Sequence, residues 1–506
     1  MTTSCNNLIA GRWVKAQGGE TFDSINPARF GEVVAVAPRS KRTDVDAAVA
    51  AARKALPAWR LTPAPRRGEI LFRAGEILLQ QKQAIARLMT REMGKVLEEA
   101  RGDVQEAIDM AYYMAGEGRR LSGETVPAEL PDKDCKSVRV PVGVFAVITP
   151  WNFPVAIPGW KILAALVCGN TVVFKPSSYT PLCAQRFVEA LQAAGLPPGV
   201  LNLIHGTGAE AGDPLVNHPG ADGVSFTGSW QVGHEVIQAC ADRHKAFTTE
   251  MGGKNAIIVL DDADIDLAVD GILWGAFGTA GQRCTATSRV VVQEGIHDML
   301  VARIKEAAAA LKIGNGLDPR NQVGPLINEE ALNKVLSYIR IGTEEGARLV
   351  VGGGRYMEGD CRLGYFVEPT VFVDVTPQMR IAREEIFGPV LSVIRVRDLE
   401  EAIQVVNDSD YGLSSAIYTR NVNASARAER DLDTGIVYIN ASTIGAEIQL
   451  PFGGTKHTGF GPREAGGRGG ALDLYSKWKV IYRDFSGKLQ RAQIDKSPVA
   501  AETIGE

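Results

Sequence analysis

The sequence predicts an α/β protein with two parallel-sheet domains, because strand patterns alternate with helical patterns in two series. In the first series, apolar runs typical of buried strands lie at 143–150, 170–176, 200–206 and 223–228. Helical patterns near 180–194, 209–217 and 229–242 separate them. Units of about 25–30 residues build a parallel sheet with helices on both faces. The second series starts at 255–260, so we place the domain boundary near residue 250.

The segment before the first sheet is predicted to be mostly helical. Residues 8–38 read as strands with Gly-rich turns, and Thr43 with Asp46 predicts the start of an Ala-rich helix. Residues 66–117 carry apolar residues at helical spacing, which predicts two helices. Residues 119–141 lose this spacing and contain Pro131 and Pro141, so we expect an extended excursion there.

The second series continues with a helical segment to about residue 280 and a strand at 289–294. The next helix places Ile296, Leu300 and Ile304 on one face, which predicts that this face packs on the second sheet. The polar tail from 471 onward contains a strand-like patch at 480–485.

Composition excludes several classes of protein. The chain has 506 residues, 45% hydrophobic and 23% charged, with a net charge of -4, so we expect no nucleic-acid partner. The most apolar stretch, 142–174, is interrupted by three prolines and Lys161, and we expect no membrane span. We also expect no signal peptide. Seven scattered cysteines and six histidines form no metal-ligand pattern, which predicts a reduced, cytoplasmic chain without a metal.

Cys284, in GQRCTATSR, is the first candidate for chemistry. A thiolate is a strong nucleophile, and Arg283 is a neighbouring cation that would favour the thiolate. Glu250, in TTEMGGKN, follows a predicted strand and would act as a general base if burial raises its pKa. Asn152, in TPWNFP, lies between two prolines and would be a rigid oxyanion donor. Each residue taken alone also fits a purely structural position.

Gly-rich turns after the predicted strands are candidates for binding phosphate at helix N-termini. They include Lys175 in FKPSS, Gly208 in HGTGAEAG, and Gly228 with Ser229 in FTGS. HGTGAEAG is one residue too long for the usual dinucleotide fingerprint, and no phosphate-loop motif follows it.

The joint order of these motifs is more specific than any one of them. TPWNFP, FKPSS, FTGS, EMGGK, GQRC, EEIFGP and PFGGTKHTGFG occur in the order that resembles the NAD(P)-dependent aldehyde dehydrogenase superfamily, from about residue 8 to about 480. Bacterial members acting on semialdehydes of the aminoadipate type look most similar. The resemblance implies two Rossmann-like domains and a covalent mechanism. In it Cys284 is the nucleophile, Glu250 the base that activates water, and Asn152 an oxyanion donor.

The resemblance also implies binding residues for NAD or NADP and for an aldehyde. The cofactor would contact Ile148, Thr149, Trp151, Lys175, Ser178, Gly208, Phe226, Gly228, Ser229, Glu385 and Phe387. The aldehyde would lie near Phe153, Trp160, Trp274, Arg283, Thr285 and Phe452.

One departure bears on the cofactor. Many similar NAD-preferring members carry Glu three residues after the cofactor lysine, where this chain has Ser178. A carboxylate would repel a 2′-phosphate whereas a hydroxyl can donate to it, so we expect NADP to be tolerated.

The aldehyde is less well specified than the reaction. Arg283 would pair with a carboxylate on a semialdehyde acid, but aromatic residues near the tunnel equally suit an apolar aldehyde. Three other readings stay open: a coenzyme-A-acylating dehydrogenase, a cysteine hydrolase, and a non-catalytic binding protein on the same fold.

The resemblance names the domains as well. Residues 1–118 and 142–252 would form the cofactor-binding domain, and 253–455 the catalytic domain. Residues 119–141 and 471–506 would form a β-type oligomerisation arm and the C-terminal tail, which predicts a homodimer or homotetramer.

Overall fold

The computed structural model describes residues 2–491, so the end of the predicted tail, 492–506, lies outside the described residues. The strands, in chain order, are β1 (Thr3–Ser4), β2 (Asn7–Ile9), β3 (Arg12–Val14), β4 (Thr21–Ile25), β5 (Val33–Pro38), β6 (Glu124–Val126), β7 (Lys133–Pro141), β8 (Val144–Ile148), β9 (Thr171–Lys175), β10 (Leu201–Leu203), β11 (Gly223–Thr227), β12 (Ala246–Glu250), β13 (Asn255–Val259), β14 (Thr287–Gln293), β15 (Arg348–Val351), β16 (Thr370–Val373), β17 (Val390–Val396), β18 (Tyr411–Gly412), β19 (Ser414–Tyr418), β20 (Ile436–Ile439), β21 (Thr455–Lys456), β22 (Gly459–Phe460) and β23 (Ser476–Asp484).

The α-helices alternate with these strands. They are α1 (Arg42–Leu61), α2 (Ala64–Met93), α3 (Leu97–Glu117), α4 (Ala156–Cys168), α5 (Pro181–Ala193), α6 (Asp213–Val216), α7 (Trp230–Asp242), α8 (Ile265–Phe277), α9 (His297–Ala309), α10 (Glu329–Glu344), α11 (Arg380–Arg383), α12 (Leu399–Asn407), α13 (Val422–Asp431) and α14 (Ala471–Tyr475). Within residues 2–491, none of them has both the length and the apolarity needed to cross a bilayer.

Two large sheets carry the fold. The first has the order β22-β12-β11-β8-β9-β10-β2-β3, and its five central strands, β8 to β12, run parallel. The second has the order β15-β16-β17-β14-β13-β19-β20 and is parallel except for β15. The strands β8, β9, β11 and β13 are buried along their whole length, as the apolar runs predict. The predicted fold class is confirmed.

A three-stranded antiparallel sheet, β23-β7-β6, is separate from the two large ones. It is built from the extended excursion and from the strand-like patch in the tail. The sheet of β6, β7 and β23 is called the arm below.

The predicted start of the first helix is wrong. Helix α1 begins at Arg42, and the Asp44 carboxylate accepts the backbone N–H of Lys41 at 3.0 Å. Asp44 therefore takes the capping position that the sequence pattern assigned to Asp46. Asp46 instead accepts a hydrogen bond from Arg42, four residues away.

Helix α4 is enclosed by the rest of the fold and carries one charged residue. All of its residues are buried, because it packs between the first sheet and the helices α2, α3 and α14. A helix that is apolar all round is expected to be enclosed in this way. The one charged residue in it, Lys161, is 1% exposed and therefore needs a partner inside the protein.

Candidate active site

Three connected cavities lie where the parallel strands of the first sheet end. The outer cavity, of about 620 Å³, follows the carboxyl ends of β8, β9 and β11. The middle cavity, of about 480 Å³, shares Trp151, Gly228 and Ser229 with it. The inner pocket, of about 50 Å³, shares Cys284 and Met251 with the middle cavity. Cys284 thus lies between a large cleft and a small closed pocket.

Most of the residues predicted from the sequence line these cavities. The outer cavity is bordered by Ile148, Thr149, Trp151, Lys175, Ser178, Gly208, Phe226, Gly228 and Ser229. The middle cavity is bordered by Trp151, Asn152, Gly228, Ser229, Cys284, Glu385 and Phe387. The inner pocket is bordered by Phe153, Trp160, Glu250, Arg283, Cys284, Thr285 and Phe452. Trp274 lines none of the three and is 59% exposed on α8.

The loop that carries Cys284 has an unusual backbone. Thr279 and Ala280, in the 3-10 turn just before it, have φ values of 52° and 53°. This is the left-handed backbone region, which residues other than glycine rarely adopt. Gly281 follows with φ 69°, and a Cβ there would collide with the carbonyl of Gly388. The Asn255 amide holds the loop by donating to the Cys284 carbonyl at 2.7 Å. Backbone strain of this kind is typical of a functional loop.

The Cys284 thiol is not activated by the protein alone. Burial, with a smaller effect of the carboxyl groups of Glu385 and Glu250, raises its pKa to about 12. The expectation that Arg283 favours the thiolate is wrong. The Arg283 guanidinium points to Glu99 at 3.2 Å and to the Thr279 hydroxyl at 3.0 Å. Arg283 is next to Cys284 in the sequence, but its guanidinium is paired with Glu99 and Thr279 and not with the sulfur.

Glu250 ends β12 and is 4% exposed. Burial raises the pKa of its carboxyl to about 8, against the opposing effect of Arg463 and Lys161. Its Oε2 atom has no hydrogen-bond partner among the described residues. A Cβ at Gly453 or Gly459 would collide with the carboxylate, so these glycines are needed for the close approach of the chain. The arrangement suits a base that takes a proton near neutral pH.

A buried network lies behind Glu250. Lys161 donates to Glu464 and to the Ser225 hydroxyl, and Thr227 also donates to Glu464. Burial lowers the pKa of Lys161 to about 7 while Glu250 opposes this shift. Lys161 and Glu464 were missed in the sequence. The available signal was one lysine inside the otherwise apolar helix AIPGWKILAALVC.

Asn152 is 3% exposed and faces the middle cavity beside Cys284. Its Nδ2 donates to the Gln282 carbonyl at 3.1 Å, which leaves a second N–H on the same nitrogen. An amide fixed in this way can donate to a developing oxyanion without reorganising.

The outer and middle cavities each carry a charged side chain that faces the cleft. Lys175 is buried, burial lowers its pKa to about 8, and its Nζ forms no hydrogen bond within residues 2–491. The Glu385 carboxylate accepts the N–H of Gly253 at 3.0 Å. Trp151 and Phe387 meet edge to face at 5.6 Å. An ammonium at one end and a carboxylate at the other suit the hydroxyls of a dinucleotide, so these residues fit the implied cofactor.

A match across most of the chain identifies the family. Residues 13–481 match the aldehyde dehydrogenase family. The chain belongs to this family. Its relatives include an alpha-ketoglutaric semialdehyde dehydrogenase of Bacillus subtilis, 42% identical over 94% of this chain and 97% of the relative. Another is an alpha-ketoglutarate semialdehyde dehydrogenase of Haloferax volcanii, 44% identical over 96% of this chain and 100% of the relative.

Solved structures of other aldehyde dehydrogenases have the same fold. A betaine aldehyde dehydrogenase from Staphylococcus aureus, in complex with NAD+, superimposes with a TM-score of 0.93. It is 37% identical, and the match covers 96% of each chain.

Proposed function

We propose that this aldehyde dehydrogenase oxidises a semialdehyde that carries a carboxylate at its other end, with NAD or NADP as the hydride acceptor. One observation carries the proposal: Cys284 lies at the junction of the dinucleotide-sized cleft and the inner pocket that Glu250 also lines. The relatives named above act on semialdehydes of this kind, and the Staphylococcus aureus structure holds NAD+.

The chemistry begins with the addition of the Cys284 sulfur to the aldehyde carbon. The carbonyl oxygen becomes an oxyanion, to which the free N–H of Asn152 donates. Lys175 and Glu385 would hold the NAD or NADP, which would supply a positive charge that favours the thiolate and an acceptor for the hydride. Loss of the hydride leaves a thioester on Cys284.

Glu250 completes the cycle. Its carboxylate takes a proton from water, the hydroxide adds to the thioester carbon, and the Cys284 thiolate leaves as the carboxylic acid forms. Lys161, which donates to Glu464, lies behind this carboxylate, and Arg463 and Lys161 stabilise its charged form. The acyl group therefore ends on water, which favours hydrolysis over transfer to coenzyme A.

Arg283 supports the choice of an acidic substrate. It lines the inner pocket, and two of its N–H groups are used by Glu99 and Thr279. A guanidinium has five N–H donors, so donors remain for a ligand carboxylate. The aromatic rings of Phe153, Trp160 and Phe452 enclose the short carbon chain between the two ends.

A panel of aldehydes with both cofactors tests the proposal. We expect acid formation without coenzyme A, and a kcat/KM for 4-oxobutanoate at least tenfold above that for butanal, because one charge-assisted hydrogen bond contributes about 1.5–3 kcal/mol. Equal values for the two aldehydes would contradict the acidic substrate. Ser178 at the outer cavity supports use of both cofactors. A preference for NAD above about a thousandfold, roughly 4 kcal/mol, would contradict that part.

We further propose a cytoplasmic homo-oligomer in which the arm contacts a second copy. All seven cysteines are free, as in a reducing compartment. The arm exposes the large side chains of Trp478, Val480 and Tyr482, and an exposed apolar patch typically marks an interface. Within residues 2–491, the edge strand β20 of the second sheet also has a neighbouring strand on one side only.

Light scattering measures the assembly. We expect a molar mass of at least twice the 54.3 kDa of one chain, and a shift towards one chain in Tyr482→Asp. The reason is that a charge in a buried interface is costly when it has no partner. A wild-type protein that stays at the mass of one chain at micromolar concentration would contradict the proposal.

A further inference from the structure

The inner pocket contains a carboxyl group that the mechanism does not use. Glu106 reaches the pocket from α3, and Arg283 and Cys284 reach it from the loop before β14. Among residues 2–491, no side chain or backbone group forms a hydrogen bond or an ion pair with it. Glu106 is half-buried, and its carboxyl group faces the cavity without a protein partner, which makes it a candidate for binding a ligand.

The cations near Glu106 are already paired with other carboxylates. Arg283 pairs with Glu99, and Lys95 pairs with Asp103 at 2.9 Å in a fully enclosed contact. Both cations also lie over the Phe153 ring, with the Lys95 Nζ 3.9 Å and the Arg283 guanidinium carbon 5.5 Å from its centre. These pairs cancel in charge, so the net charge at this end of the pocket depends on whether Glu106 holds a proton.

The surroundings of Glu106 favour the protonated form. Burial raises its pKa to about 8, and the nearby charges of Asp103 and Asp109 act in the same direction, while Lys95 and Arg283 oppose them. From β20, Tyr438 faces it as a neutral phenol, because burial and the neighbouring acidic groups raise the Tyr438 pKa to about 12. Glu250 and Glu464 line the far side of the same pocket. At pH 7 Glu106 is therefore an acid that can donate a hydrogen bond.

We propose that Glu106, in its neutral form, donates a hydrogen bond to the distal carboxylate of the substrate beside Arg283 and so determines the selection of acidic semialdehydes. The inference rests on the proposed function, because it assigns the group that binds the carboxylate end of that substrate. An ionised Glu106 would instead place a second negative charge beside the substrate carboxylate. Selection of the acid therefore depends on the proton that Glu106 holds.

The preference for the acidic substrate is expected to fall as the pH rises. Below about pH 8 the donor is present and the acid is preferred. As the pH rises through this value, Glu106 loses its proton, the donor is lost and repulsion replaces it. Glu250 lines the same pocket and ionises in the same pH range, so the difference between the wild type and Glu106→Gln isolates the effect of Glu106.

The experiment measures the ratio of kcat/KM for 4-oxobutanoate to that for butanal between pH 6.5 and 9.5. In the wild type we expect the ratio to fall by about tenfold to a hundredfold across this range, as for the loss of one hydrogen bond to a charged group. In Glu106→Gln, which keeps a donor and cannot ionise, we expect a ratio that stays flat and lies within about threefold of the wild-type value at pH 7. Glu98→Gln, at an exposed position on the same helix and outside the three cavities, should keep the wild-type profile.

Three results would overturn the inference. One is a flat wild-type ratio, which needs no variant and so does not depend on folding of a mutant. Another is an unchanged pH step in Glu106→Gln. The last is a wild-type kcat/KM for 4-aminobutanal that exceeds that for 4-oxobutanoate and drops in Glu106→Gln, since that would make Glu106 an ionised group for cationic substrates. Absence of cofactor reduction with every aldehyde would instead contradict the proposed function itself.

Discussion

Replacing Cys284 by alanine is expected to abolish aldehyde oxidation, with a loss in kcat on the order of 10⁴-fold or more, the scale found when a covalent nucleophile is removed. The side chain lies where the middle cavity meets the inner pocket, and no other cysteine lines any of the three cavities. The hydride leaves only after a tetrahedral adduct has formed, and water is a much weaker nucleophile than the thiolate. The measurement is the rate of NADH formation at saturating aldehyde.

Two controls separate this role from a structural one. Cys284→Ala should bind NAD with an affinity within about threefold of the wild type, because the outer cavity is unchanged. Cys361→Ala, in the 3-10 turn Gly359–Leu363, should keep wild-type turnover because Cys361 lines none of the cavities. Wild-type turnover in Cys284→Ala would remove this residue from the mechanism.

The sequence predicted the parts of the fold that have strong local signals. The apolar run at 143–150 corresponds to β8, and the long helical spacing of 66–117 corresponds to α2 and α3. The pairing of β22 with β12 could not be predicted, because a two-residue strand has no periodicity. The capping error at α1 has a similar origin, since two acidic residues lie within the first five positions of the helix and only the folded backbone selects Asp44.

The residues of the candidate site also divide into those that the sequence predicts and those that it does not. Asn152 follows β8 and Glu250 ends β12, and the carboxyl ends of these strands lie at one edge of a sheet, so their approach follows from topology. Glu106 lies in a helix with many charged residues, where one glutamate cannot be told from the solvated face by spacing alone. Trp274 was placed near the substrate by resemblance, and the structure puts it on an exposed part of α8. Which charged residues are enclosed is decided by tertiary packing, which the sequence pattern does not carry.

Replacing Glu250 by glutamine is expected to stop the reaction halfway. The first hydride transfer does not need this carboxylate, so one NADH per active site should form in a rapid burst. Hydrolysis of the thioester should then be slower by about 10²–10⁴-fold, the usual contribution of a general base. Rapid mixing measures the burst, and the mass of the intact protein should show the acyl group retained on Cys284.

The raised pKa of Glu250 adds a second observable to the same variant. The base acts in its ionised form, so the wild-type rate of thioester hydrolysis should rise as the pH increases towards about 8 and level off above it. Glu250→Gln should lose this rise, because its amide does not titrate. Glu447→Gln, an exposed position in the loop that borders the inner pocket, should keep both the rise and the turnover. If Glu250→Gln turns over at the wild-type rate with no acyl group on the protein, a different base must activate the water. The buried lysine at 161 would not replace it, since it already donates to Glu464 and Ser225 and stabilises the carboxylate from behind.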